Sequence, residues 1–417
     1  MEDPRASERA AAKPTIHTAM EDKRKNPLLY IGERVATGAG SGRGAARSGD
    51  RLRIALVAPP MVPVPPRGYG GTERIVAALA EELDARRHWV TVFAAGDSDV
   101  SGELVPIIDR SLWSTGYRGD VSNYISLAAA LAWEQASRFD IIHSHLETLG
   151  FLFARHCPTP VLSTLHGRLD VAGIPELLGT FPDIPLVAIS ESQRRWAPDQ
   201  NWLATIHHGL PLASMPFGKQ VGEYYALVAR LTPEKGISQS IELAQRTRRQ
   251  VRIAAKVHDP SERTEFDVLV RPFLDDPYVE FLGELLPTQR DPLYAGAYAT
   301  LMLGGWPEPF GLTAIESMAA GTPVIARRAG ALPEIIEHGV DGFLVDDVAE
   351  AELAASLIPS LDRAAIRERA LRRFSVERMV DEYEAAYRLL LERTAGTGRG
   401  SATIGRALVG MEPAARN

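Results

Sequence analysis

From residue 52 to residue 345 the chain repeats one rhythm: a short apolar run, a turn, then a longer stretch whose apolar positions recur every three or four residues. The runs 52–58, 90–94, 141–145, 161–166 and 186–190 read as strands bounded by turn residues. The stretch 72–86 reads as a helix, because Ile75, Leu79 and Leu83 fall on one face. A second series of runs, at 225–229, 251–255, 279–282, 300–303, 324–326 and 342–345, repeats the pattern. Strands alternating with helices predict parallel sheets covered on both faces. Between the two series, 211–222 holds turn residues with weak periodicity and reads as a linker. The expected architecture is α/β, with two doubly wound Rossmann-like domains at 51–215 and 216–375 facing a central cleft. Ligands should gather there at strand C-terminal ends.

Composition narrows the classes. The 417 residues suffice for two domains. The formal net charge is -7 with basic residues spread along the chain, which argues against nucleic acid as a partner. Cys157 is the only cysteine, so no internal disulfide forms. No apolar run reaches the length of a membrane span, and the N-terminus is too polar for a secretory signal. A cytoplasmic protein is the expectation. Residues 1–50, charged and rich in Ala, Gly and Arg, and the tail 394–417 read as disordered.

The most informative segment is 308–316, Glu-Pro-Phe-Gly-Leu-Thr-Ala-Ile-Glu. Leu312, Ile315, Met318 and Ala319 predict a helix, ended by Gly321 and Pro323. Gly311 stands at its mouth, where free N–H groups and the positive dipole end attract anions. Glu308 lies just outside and Glu316 about one turn inside, so a diphosphate at the mouth would have a hydroxyl-binding carboxylate near each end. A nucleotide sugar has that shape. A glycosidase pair is the competing reading of two carboxylates, but simple glycoside hydrolysis requires no anion site.

Other candidates fall at predicted strand ends. Gly68-Tyr69-Gly70-Gly71-Thr72 joins the first strand to its helix, and its glycine spacing is not the dinucleotide fingerprint. Arg230 and Lys235 follow the first strand of the second domain and would grip a diphosphate from across the cleft, opposite the Gly311 helix mouth. His166 closes an apolar strand at the cleft. His143 and His145 share one strand face, and a metal site there lacks a third ligand. His207 and His208 read as shaping the interdomain edge. Arg110, Trp113, Tyr117 and Arg118 read either as an acceptor or membrane-facing patch or as an ordinary aromatic rim.

Taken together, these motifs, from about residue 51 to residue 393, resemble the GT-B fold retaining glycosyltransferases of family 4. Gly70-Gly71-Thr72-Glu73 is similar to the family's N-terminal glycine loop, and Ser163-Thr164-Leu165-His166-Gly167 to its strand-end histidine motif. Arg230 and Lys235 fall at its diphosphate-binding pair, Gly283-Glu284-Leu285 at the turn that meets the nucleobase, and Glu308 to Glu316 at its paired-carboxylate motif. Gly330-Ala331-Leu332-Pro333-Glu334 and Asp341-Gly342-Phe343 complete the resemblance. One departure is Leu303-Gly304-Gly305-Trp306, where the family often has proline followed by Ser or Thr.

The resemblance implies transfer of a hexosyl unit from a nucleoside diphosphate sugar, with UDP-glucose as the expected donor, retention at the anomeric carbon and front-face departure. It implies that Glu308 touches sugar hydroxyls, Glu316 holds the ribose, and His166 contacts the sugar near the reacting carbon. The amides of Gly311, Leu312 and Thr313, beside Phe310, would meet the phosphates, and Lys256 would assist the nucleotide or phosphate. No metal or other cofactor is implied. The acceptor is an unidentified small molecule, glycan or lipid-linked molecule, which leaves room for peripheral membrane contact. A final helix at 376–393 would cross back to the first domain. An epimerase of UDP-amino-sugars and a non-catalytic nucleotide-sugar sensor are the competing readings.

Overall fold

The computed structural model describes residues 51–258 and 260–396. The expectations for residues 1–50 and for the tail beyond residue 396 lie outside the described residues.

The first half supplies strands β1 (Arg53–Val57), β2 (Trp89–Ala94), β3 (Glu103–Pro106), β4 (Ile141–Ser144), β5 (Val161–Thr164), β6 (Leu186–Ala188) and β7 (Trp202–Thr205). They form one sheet in the order β3-β2-β1-β4-β5-β6-β7, every pair parallel. The second half supplies β8 (Tyr225–Val228), β9 (Val251–Ala254), β10 (Val279–Gly283), β11 (Ala299–Met302), β12 (Val324–Arg327) and β13 (Gly342–Val345). Their sheet is also all parallel, ordered β10-β9-β8-β11-β12-β13. The longer helices are α1 (Gly71–Ala85), α2 (Ser122–Glu134), α3 (Ile237–Thr247), α4 (Pro260–Leu269), α5 (Pro287–Ala295), α6 (Leu312–Ala319), α7 (Val348–Leu357), α8 (Arg363–Arg373) and α9 (Val376–Gly396).

The strands form where they do because both faces are covered. Side chains alternate sides along a strand. In β1, Ile54 and Leu56 join the apolar stripe of α1 (Ile75, Leu79, Leu83), whereas Ala55 and Val57 join Ala128, Ala129 and Ala132 of α2. All four of these β1 residues are fully buried. The two strands that the pattern of apolar runs does not announce, β3 and β7, are the edges of the first sheet. No side chain of β3 is buried and only Trp202 is in β7. Half-exposed edges carry a weaker apolar signal, so tertiary pairing decides them.

In each sheet the strand order reverses beside its first strand, between β1 and β4 and between β8 and β11. Successive connections leave such a point in opposite directions and open a crevice at the strand C-termini. The two crevices hold the loops that carry the candidate residues.

Helix α9 packs against α1 and β7 of the first half. Tyr387 Oη lies 2.8 Å from His143 Nδ1, Tyr383 Oη 3.1 Å from Thr164 Oγ1, and Arg86 Nη1 2.6 Å from Asp381. Just before α9, Leu210 N–H donates to Phe374 O at 3.1 Å, and Leu210 pairs with Ser375 in a parallel bridge. The two chain crossings between the halves therefore run side by side.

Candidate active site

The loops after β1, β5, β8, β9, β10 and β11 and the start of α6 enclose one pocket of about 370 Å³. It is lined by His166, Arg230, Lys235 and Glu308, and by Gly70, Gly71, Lys256, Glu284, Leu285, Phe310, Gly311, Leu312, Thr313 and Glu316. These fourteen candidates therefore meet in one place, whereas His143, His145, His207 and the group Arg110, Trp113, Tyr117 and Arg118 do not line it. The strands stop short of their predicted ends, at Ser144, Thr164 and Ala188, which leaves His145 and His166 beyond the strands on the cleft side.

Gly311 caps α6, whose first residues Leu312 and Thr313 face the pocket while Ala314, Ile315, Met318 and Ala319 are buried. Four N–H groups at such a start lack helical partners and carry the positive dipole end. Arg230 lies on the loop after β8, and β8 pairs directly with β11, whose following loop leads into α6. Arg230 and Lys235 thus flank the helix mouth on the same sheet; the expectation that they face it from across the cleft is corrected by this strand order. Lys235 Nζ is 2.5 Å from Glu308 Oε1. The Arg230 guanidinium has no ion-pair partner among the described residues and opens onto the pocket.

Glu316 is held more tightly than its sequence context suggests. Its carboxylate, 3% exposed, receives Arg74 from α1 and Arg290 Nη2 from α5 at 3.1 Å, and Tyr294 Oη donates to it at 3.3 Å. Burial alone would raise its pKa, but the two guanidiniums outweigh that and hold it below the usual carboxylate range. Arg74, Arg290 and Tyr294 had no sequence signal. Arg74 sits one turn into a helix whose visible pattern is its apolar stripe, and its partner is 242 residues away.

A chain of imidazoles stands on the first half's side. His166 Nε2 is 2.9 Å from His145 Nδ1, and His166 Nδ1 is 3.3 Å from His208 Nε2. Both ring nitrogens of His166 are thus engaged, and Glu147 Oε1 accepts its backbone N–H at 2.9 Å. His207, 3.2 Å from Glu334, and His208, edge-on to Phe310 at 5.0 Å, both contact the second half, and His208 lines the pocket as well. His143 bonds Tyr387 and Thr164 instead. Among the described residues, no group of three or more His, Cys, Asp or Glu is placed to hold a metal ion. Trp113, from the aromatic group at 110–118, stacks on Tyr69 at 6.4 Å and lies 4.7 Å from Lys256 Nζ, near the pocket's edge.

These buried groups set a pH dependence. Burial pushes His143 and His166 down to about 3, and His145 and His208 well below their ordinary value. Unfolded histidines take up protons below about 6.5, so each neutral histidine destabilises the native state as pH falls from there. Burial raises Glu73 and Glu147 to about 7, so these two act in the opposite sense between their unfolded value and pH 7. Four histidines outweigh two carboxylates. Denaturant midpoints should fall between pH 6.5 and 4.5 by an amount equivalent to a few kcal/mol, on the order of two net protons. A midpoint that rises with acidification would contradict the neutral imidazole chain.

Two glycines are fixed by close approach. Gly330 has φ +59°, and a Cβ there would lie 2.4 Å from both N and O of Glu308. Ala331 N–H also donates to Glu308 O at 2.8 Å. The segment 330–334 therefore braces the backbone of Glu308. Gly330→Ala should displace that carboxylate and lower transferase activity at least about tenfold, since misplacement of about 1 Å can cost a hundredfold. Wild-type turnover would show that the loop absorbs the methyl. At Gly304 a Cβ would lie 2.0 Å from Glu234 O. The departure at 303–306 thus lets this loop seat on the Lys235 loop, and Trp306 then lies under Lys235 Nζ (5.2 Å) and Arg168 (4.4 Å).

Two facing parallel sheets with a phosphate-type helix mouth and cations in the cleft define a GT-B architecture. A family model described as "Glycosyl transferases group 1" matches residues 218–373, and one described as "Glycosyltransferase Family 4" matches residues 69–213. A phosphatidyl-myo-inositol mannosyltransferase of Mycobacterium leprae (strain TN) is 26% identical over 348 residues, covering 76% of this chain and 90% of the relative. A D-inositol 3-phosphate glycosyltransferase of Mycolicibacterium smegmatis is 25% identical over 344 residues, covering 70% of this chain and 79% of the relative. Among solved structures, sucrose-phosphate synthase from Thermosynechococcus elongatus aligns with TM-score 0.66 at 22% identity, over 82% of this chain and 100% of the other. An Anabaena protein in complex with UDP-glucose aligns with TM-score 0.61 at 17% identity, over 83% of this chain and 100% of the other, a likeness of fold. The chain belongs to the group 1, family 4 glycosyltransferases, and is a transferase enzyme. No helix of the described residues is long and apolar enough to cross a membrane.

Proposed function

We propose that the enzyme moves a hexosyl unit from a nucleoside diphosphate sugar, in the first instance UDP-glucose, to an acceptor hydroxyl with retention at the anomeric carbon. The observation that carries this reading is the Arg230 guanidinium, without an ion-pair partner among the described residues, lining the same pocket as the α6 mouth, Glu308 and Glu316. The α6 amides would take the diphosphate, Glu316 the ribose, and Glu308 the sugar hydroxyls. In a front-face transfer the bond from the anomeric carbon to the phosphate oxygen breaks as the bond to the acceptor oxygen forms. The acceptor proton passes to the departing diphosphate. Negative charge grows on the leaving group, where Arg230, Lys235 and the helix mouth are fixed beforehand, and such preorganised charge is the main source of catalysis. His166, locked on both ring nitrogens, would shape the sugar's surroundings as a neutral imidazole. The names of the relatives favour testing inositol-containing acceptors first, and the UDP-glucose complex of the Anabaena neighbour favours a UDP-sugar.

The test is a thermal-shift screen of UDP-, GDP- and ADP-sugars, followed by a release and transfer assay on each donor that binds. Stabilisation with release of the nucleoside diphosphate and an unchanged anomeric configuration is expected. Stabilisation without turnover would make the protein a sensor, and conversion of a UDP-amino-sugar without transfer would make it an epimerase.

A further inference from the structure

Glu316 is joined to the opposite half of the molecule by a side chain that competes with the ligand proposed for it. A carboxylate offers about four lone-pair sites. Arg74 and Arg290 both engage Oε1 and Tyr294 Oη engages Oε2, leaving about one. A ribose diol donates two hydrogen bonds, so one present partner must yield.

The three partners differ in their freedom to do so. Arg290 and Tyr294 lie one turn apart on α5, in the same half as Glu316; Arg290 is also fixed by Asp291 at 2.8 Å, and the Tyr294 residue is fully buried. Arg74 comes from α1 in the first half, has no ion-pair partner besides Glu316 among the described residues, is 23% exposed and lines the pocket. Its helix begins at Gly71, where a Cβ would lie 3.6 Å from Leu312 Cδ1, so α1 starts against the mouth of α6. A guanidinium that leaves Glu316 remains in the pocket that would hold the diphosphate.

We infer that Arg74 is a specificity-determining residue that gives up Glu316 to the donor's ribose and transfers its own hydrogen bonds to the diphosphate. Binding then exchanges a direct ion pair between the halves for one that runs through the ligand. A bare nucleoside must displace Arg74 without offering it a new anion, whereas a nucleoside diphosphate supplies one. Arg74 therefore enforces recognition of the diphosphate over the nucleoside. The inference rests on the proposed nucleotide-sugar reading.

Calorimetric titration of the whole protein with UDP and uridine, GDP and guanosine, and ADP and adenosine tests it, using wild type, Arg74→Ala and Arg74→Gln. With the base that binds, both variants should hold the nucleoside several-fold more tightly and the diphosphate about tenfold more weakly, since a charge-assisted hydrogen bond is worth about ten- to a hundredfold in affinity. The ratio of the two dissociation constants should fall by at least about thirtyfold. A ratio that stays within about twofold, or two affinities that weaken together, overturns the role of Arg74 while leaving the donor site intact. Failure of wild type to bind any of the diphosphates overturns the nucleotide reading itself, and this inference with it. Two variants of different volume separate the effect from a packing loss, because only the carboxylate exchange predicts opposite signs for the two ligands.

Discussion

Arg230→Ala should lower kcat for sugar transfer by about two to three orders of magnitude while leaving thermal stability within about 0.5 kcal/mol of wild type. The reasoning is that Arg230 has no ion-pair partner among the described residues, so its removal breaks no structural pair. Its charge faces the pocket, where it acts on what binds there. Leaving-group stabilisation is needed most in the transition state, so the loss falls on kcat more than on KM. Steady-state kinetics with the donor found by the screen, beside a melting curve, checks both halves. A variant that transfers sugar at the wild-type rate would remove Arg230 from the mechanism.

Glu316→Ala should behave in the opposite way, losing both stability and binding. Arg290 is partly held by Asp291, but its contact with Glu316 is among its most enclosed, and Tyr294 would lose an acceptor as well. Breaking a buried pair from one side costs about 3–5 kcal/mol. Glu316→Gln keeps an acceptor and most of the volume, so it should fold more stably than the alanine variant yet still bind nucleotide about tenfold or more weakly, from loss of charge-assisted bonds. Denaturant unfolding and calorimetric titration of the two variants read these effects separately. Nucleotide affinity unchanged in Glu316→Gln would show that the ribose is held elsewhere.

Much of this was legible because it is local. The apolar runs that became β1, β2, β4, β5, β6, β8, β11, β12 and β13 announce themselves by burial, and β9 and β10 by apolar runs of their own. The α6 start is written within nine consecutive residues, and each candidate lies on a loop leaving a strand, which the doubly wound topology brings to one crevice. The edges of the first sheet, β3 and β7, were illegible because their half-exposed side chains carry little apolar pattern. The pairing of charges was illegible for a different reason. Arg74 and Glu316 are 242 residues apart, and the His145–His166–His208 chain joins three strand ends separated by 21 and 42 residues. Which loops meet is fixed by strand order; which side chains then bond depends on register and reach. That is also why Arg230 and Lys235 were expected on the wrong side of the cleft: their sequence motif gives the chemistry but not the neighbouring strand.

The placement of α9 has a consequence for biosynthesis. Tyr383, Tyr387 and Leu390 belong to the same buried cluster as β1, α1 and β4. While the ribosome is still making the second sheet, the N-terminal one lacks part of its cover, and its histidine-bearing strand end lacks the tyrosine that satisfies it. Vectorial folding of this chain cannot be completed half by half. The nascent first lobe must wait, with apolar surface showing, until residues past 376 emerge, which makes that interval the one in which a chaperone would have most to hold.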